Sequence, residues 1–195
     1  MINAIVIGRA AGVWEEVAAL QAMAKFDATV VVNRAAVDYP GKVDHWVSYH
    51  AGLLAHWAEL RRARGLPDAA NYWATTYRGR RVGGEPAFPP LRRMRCDGGS
   101  SGLVGVLVAL DGDGAGADRV ALAGIPMDPA RGHYDAAGEW KEALVYRGAW
   151  VRVAGRMAGR VRSMSGWTME FLGGQPPTRE WLLGGAEVQD AVDHH

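Results

Sequence analysis

Apolar residues along this chain fall into short unbroken runs that alternate with longer, helically spaced ones. Residues 3–8 (NAIVIG) and 28–33 (ATVVVN) show no polar alternation, which predicts strands buried on both faces. Between them Val13, Trp14, Val17, Ala18, Leu20 and Ala24 lie mostly on one face of a helix. A turn at Tyr39-Pro40-Gly41 leads to a third strand at 45–49. Leu53, Leu54, Trp57 and Leu60 predict a helix over 53–64, stopped by Gly65 and Pro67. Further strands are expected at 72–77, 119–125 and 160–164. A buried helix opened by serine is expected at 100–110 (SSGLVGVLVAL), a longer helix at 139–157, and short helices within 167–183. Residues 78–99, with Gly, Pro and six arginines, are expected to form a long loop, and 129–138 a second, polar one.

Buried strands separated by helices predict an α/β, three-layer, Rossmann-like fold: a mainly parallel sheet with helices on both faces. A single nucleotide-binding domain over 1–195 is expected, with 78–99 as a long loop and 129–183 as a C-terminal lid or helical region.

Composition narrows the function classes. A content of 49% apolar and 22% charged residues excludes wholesale disorder. The net charge of +1 carries no signature of a general nucleic-acid binder. A lone cysteine, Cys96, leaves no disulfide framework and no Cys-rich zinc site, and it fits a reducing cytoplasm. No basic segment precedes the first apolar run, so no signal peptide is expected. No apolar run approaches the roughly 20 residues that span a bilayer, so no membrane partner is expected. Eight tryptophans leave room for a homodimer face.

In open α/β sheets, ligands bind beyond the carboxyl ends of the strands. The first such stretch, Gly8-Arg9-Ala10-Ala11-Gly12, lacks both the G-x-G-x-x-G spacing and a Walker lysine. Glu15 and Glu16 already occupy the positive end of the helix that follows. A second stretch is stronger. Gly99, Ser100, Ser101 and Gly102 open an apolar helix whose first turn has no acid, a plausible cradle for a phosphate or a sugar–nucleotide head group. The plain alternative is that one serine merely caps the helix. Asn33 and Arg34 follow the second strand, and Asn33 offers donor and acceptor to a base edge or ribose, or else serves an ordinary turn. His50 follows the third strand and is a candidate acid–base residue. Gly124 lies at the carboxyl end of the strand at 119–125, and Asp128, His133 and Tyr134 beyond it form a reasonable acid–base set, against the alternative of a Pro-bounded surface loop. Histidines in metal-binding spacing are absent, so no metal is expected.

The order of these pieces resembles the sialyltransferase-like Rossmann group, which includes the bacterial sialyltransferases of glycosyltransferase family 42 and the MptE-like (DUF115) proteins. The likeness rests most on residues 100–128, where Ser100-Ser101-Gly102 opens a helix and the next strand ends Gly124-Ile125. VVVNRAA at 30–36, HYDAAGEWKEALVY at 133–146 and VRSMSG at 161–166 are similar to other family segments. The first loop departs from the family's Gly-x-Gly-Pro-Ser, and Asp128 falls two residues late. The resemblance implies a nucleotide-sugar-binding protein that transfers a sugar to an acceptor. Gly8, Arg9, Asn33, Arg34, Gly99, Ser100, Ser101, Gly102 and Gly124 would hold the nucleotide. His133 or His50 would act as base, Tyr134 would assist the leaving phosphate, and Asp128 would join the catalytic set. No cofactor beyond the nucleotide-activated sugar is implied. One alternative is an MptE-like diphosphotransferase, a pterin pyrophosphokinase type, using Mg²⁺ held by Asp97 and Asp128. Another is a nucleotide-binding or assembly protein without chemistry.

Overall fold

The computed structural model describes residues 1–77, 80–81, 91–96 and 98–185; for Thr76, Tyr77, Arg80 and Arg81 it describes the backbone alone. The strands are β1 (Asn3–Ile7), β2 (Ala28–Val32), β3 (His45–Ser48), β4 (Asn71–Tyr77), β5 (Arg80–Arg81), β6 (Leu91–Arg95), β7 (Arg119–Ala123) and β8 (Val161–Ser163). The helices are α1 (Val13–Met23), α2 (Ala35–Asp38), α3 (Leu54–Ala63), α4 (Ser101–Leu110), α5 (Glu142–Arg152), α6 (Ala154–Met157), α7 (Gly166–Phe171) and α8 (Arg179–Leu182). Across the sheet the order is β4–β3–β2–β1–β7–β8, all parallel, with β6 parallel and β5 antiparallel to β4.

Alternation along each strand divides the core into two. Ala4 and Val6 of β1 join Val30, Val32 and Val47 under α4, with Ala149, Trp150 and Met157. Ile5 and Ile7 join Val31 and Trp46 on the other face, under residues of α1, α2 and α3 such as Leu20, Ala36 and Leu54. This is the α/β, Rossmann-like layering. Because both faces are covered, the central strands are apolar throughout, as their sequences require. Helix α4 is buried along its whole length and sits close on the sheet. A Cβ on Gly105 would lie 2.9 Å from Val6 Cγ1 and 3.0 Å from Val32 Cγ2, so only glycine permits this approach.

Two expectations change. The 78–99 segment is not loop throughout, since it carries β5 and β6. In β6, Met94 is buried while Arg95 is exposed, and Cys96 is buried just beyond the strand. The arginines hide that alternation in the sequence. They are accommodated by an edge: Arg92 stacks over Trp73 at 5.5 Å and donates to the Asp113 carbonyl at 2.8 Å. The 139–157 helix starts only at Glu142 and breaks at Val153, between α5 and α6. The strand expected at 160–164 is β8, which extends the sheet beyond β7.

Candidate functional site

The chain runs outward from β1 through β2, β3 and β4, then returns through α4 to place β7 on the other side of β1. Strand order therefore reverses between β1 and β7, and a crevice opens beyond their carboxyl ends. Gly8 and Gly124 meet there. A Cβ on Gly8 would fall 2.2 Å from the Gly124 carbonyl oxygen, and Gly8 N–H donates to Ala123 O at 2.7 Å. Above them lies a cleft of about 530 Å³, within the range of small-ligand sites.

One wall of the cleft is the start of α4. Gly98 and Gly99 take φ of 96° and 98°, which only glycine adopts easily, and they turn the chain into the helix. Ser100 is the N-cap: its Oγ accepts from Leu103 N–H at 3.3 Å and donates to Met127 Sδ at 3.7 Å. Ser101 Oγ accepts from Tyr49 N–H at 3.0 Å, tying the end of β3 to α4. Among the described residues, the amides of Gly99, Ser100, Ser101 and Gly102 have no acceptor. At the positive end of a helix, N–H groups without an acceptor among the described residues are an arrangement that can receive an anion.

The second wall is the end of β2 and β3. Asn33 takes φ of 53°, and its backbone accepts from Trp46 Nε1 at 2.7 Å. His50 N–H donates to Ser48 Oγ, and Ser48 Oγ donates to Asn33 Oδ1, both at 2.8 Å. This relay occupies the Asn33 acceptor and leaves its NH₂ to donate. His50, Leu53 and Trp57 complete this side.

His133 lies between the walls. Its backbone bridges Ala10, and its ring sits 5.3 Å from that of Trp140. Burial first, and then the nearby Arg9 cation, lower its pKa from the usual imidazole value, so the ring is neutral at pH 7. Among the described residues its buried Nδ1 has no partner. Trp140 and Tyr146, 6.0 Å apart, continue the lining.

Gly8, Arg9, Asn33, His50, Gly99, Ser100, Ser101, Gly102, Gly124 and His133 thus face one cleft. Arg34, Tyr134 and Asp128 do not line it. Arg34 pairs with Asp135 Oδ2 at 3.3 Å, while Arg9 holds Oδ1 of the same carboxylate at 2.6 Å. Tyr134 packs edge-on to Trp14, and its hydroxyl donates to Asp38. Burial raises its pKa to about 12. Its neighbours in space, not its distance from His133 along the chain, turn it away. Asp128 caps the short 3₁₀ turn Pro129–Arg131 through Ala130 N–H at 3.1 Å. Asp97 lies outside the described residues.

The first loop is closed to anions by Glu16, and sequence spacing alone does not show how. Its Oε2 accepts from Gly124 N–H at 2.7 Å. Its Oε1 accepts from Arg131 at 2.9 Å and from Ser165 Oγ at 2.6 Å. Sequence reasoning also missed Leu53, Trp57, Trp140 and Tyr146 as cleft residues. Each has the spacing or composition of ordinary core, and only the register of 142–152 against Gly99 brings Tyr146 to the opening.

No protein-family model matches the chain, and no curated protein matches it. Among solved structures, a mammalian sialyltransferase in complex with Gal-beta-1-3GalNAc-ortho-nitrophenol is similar at 14% identity and a TM-score of 0.46, over 85% of this chain and 70% of that one.

Proposed function

We propose that this protein binds a nucleotide-activated sugar in the β1/β7 cleft and transfers the sugar to an acceptor hydroxyl, in the manner of sialyltransferase-like enzymes. The observation that carries this reading is the convergence on one cleft of an anion cradle, an amide donor and a neutral imidazole. The amides of Gly99 to Gly102 would receive the phosphate, and Asn33 NH₂ would donate to the base or ribose. His133 would take the proton from the acceptor hydroxyl as its oxygen forms the new bond to the sugar carbon. The electron pair of the broken bond would leave on the nucleotide phosphate, where the helix amides stabilise the developing charge.

The test is a thermal-shift titration with purine and pyrimidine nucleotides and their sugar derivatives. One nucleotide class should stabilise the fold by about 2.7 kcal/mol at 100 times its Kd. No response to any nucleotide would overturn the reading. Binding without turnover of any sugar nucleotide would leave a non-catalytic nucleotide-binding protein, and turnover that requires Mg²⁺ and transfers diphosphate would favour the diphosphotransferase.

A further inference from the structure

Helix α5 buries Ala143, Ala149 and Trp150 and turns the opposite face to solvent. On that face Leu144 is 56% exposed, Val145 78% and Val151 55%. At about 100° per residue these three fall with Lys141, Gly148 and Arg152 within an arc of about 120°. Among the described residues, large apolar side chains this exposed are few, and no other helix groups three of them. The charge pattern is equally uneven. Glu142, the carboxylate on α5, falls outside that arc, and between it and Glu170 the sequence holds five arginines and no carboxylate, in a chain of net charge +1. Of these, Arg152, Arg156 and Arg160 are exposed.

We propose that this face is a docking surface for an anionic lipid membrane. Exposed aliphatic side chains among cations suit the boundary between acyl chains and anionic headgroups. A second copy of the chain fits poorly, because a two-fold contact would set Lys141 and Arg152 of each copy against the same cations. Nucleic acid would leave Leu144, Val145 and Val151 unmatched. The helix lies on the membrane and does not cross it; among the described residues no helix is long and apolar enough to span a bilayer. Helix α5 also carries Tyr146 into the cleft wall, and its Ala149 packs at Gly99, so docking would bring the cleft close to the lipid surface. The docking surface does not depend on what occupies the cleft.

Co-sedimentation with vesicles tests this, without nucleotide. The full chain should bind mixed phosphatidylcholine–phosphatidylglycerol vesicles, release them as salt rises, and ignore phosphatidylcholine alone. Val145→Glu, at an exposed position where the fold tolerates a charge, should abolish binding. Lys141→Glu removes two charges' worth of attraction and should weaken binding about 25-fold, from about fivefold per charge. Arg62→Glu, on α3 and paired with Asp68, should change little. Failure to bind the mixed vesicles at low salt would overturn the proposal. So would equal loss with Arg62→Glu, or a dimer in solution that Val145→Glu dissolves.

Discussion

The Ser48 hydroxyl donates to Asn33 Oδ1 at 2.8 Å while accepting from His50 N–H at the same distance. One side chain thereby fixes which end of the Asn33 amide faces the cleft. Ser48→Ala should free that amide to rotate without unfolding the sheet. Nucleotide affinity should fall about 5- to 10-fold, the worth of one oriented hydrogen bond, with the melting temperature of the ligand-free protein little changed. Isothermal titration beside a thermal melt separates the two; an unchanged Kd would remove Asn33 from the site.

His133 is held neutral by burial and by Arg9. Proton acceptance needs that neutral form, so kcat/KM should be flat at neutral pH and fall only on the acid side, below about 6.5. His133→Asn should lower kcat by roughly 10²- to 10⁴-fold and leave nucleotide binding nearly intact. A pH–rate profile with its acid limb unmoved in the variant would show that the limb belongs to another group.

His45 is a structural counterpart. Its Nδ1 accepts from Trp73 Nε1 at 2.9 Å inside the core, so that nitrogen must stay unprotonated. Burial lowers its pKa, with Asp44 opposing and Arg92 adding. The native state therefore binds fewer protons than the unfolded chain. Stability is full above about pH 6.5 and declines as pH drops toward the lowered value. Urea unfolding at several pH values should show this slope, and His45→Gln should flatten it.

Much of this architecture is legible in sequence. The runs at 3–8 and 28–33 are apolar because no face of the central sheet meets water, and that pattern cannot be confused with a loop. Strand β6 escapes the same reasoning because Arg92, Arg93 and Arg95 surround Met94. At an edge, a guanidinium can stack on Trp73 or reach Thr75 O and still sit in a strand. Within the site, the glycines and serines before α4 stand out by chemistry. Tyr134 and Asp128 look equally suited to it, yet Asp38 and the Ala130 amide have already engaged them. Ser101 is visible as a residue, but its bond to Tyr49 spans 52 positions and belongs to the tertiary fold. Nor does the sequence show how tightly Gly99 is packed. A Cβ at Gly99 meets Leu103 Cδ2 at 2.9 Å and Ala149 Cβ at 3.0 Å, at a positive φ.

Arg61 is wholly buried with four backbone carbonyls around it. It donates to Pro67 O at 2.6 Å, Tyr39 O at 2.7 Å and Gly41 O at 2.9 Å, and also to Ala36 O. Burial lowers its pKa, yet a guanidinium remains charged. Arg61→Met would match its volume and leave those acceptors unpaired, costing about 3 kcal/mol or more. Arg61→Lys should recover little, since three donors on a point charge cannot reproduce the fork. Denaturant midpoints for the two variants decide this.

Glu16 gathers the amide of Gly124, the guanidinium of Arg131 and the hydroxyl of Ser165, a residue 149 positions away. Such a knot can be tied only after the first and last strands have already come together. It should therefore form late in folding, beyond the rate-limiting barrier. Glu16→Gln is expected to hasten unfolding several-fold while refolding keeps its pace, a division that the two arms of a chevron plot would display.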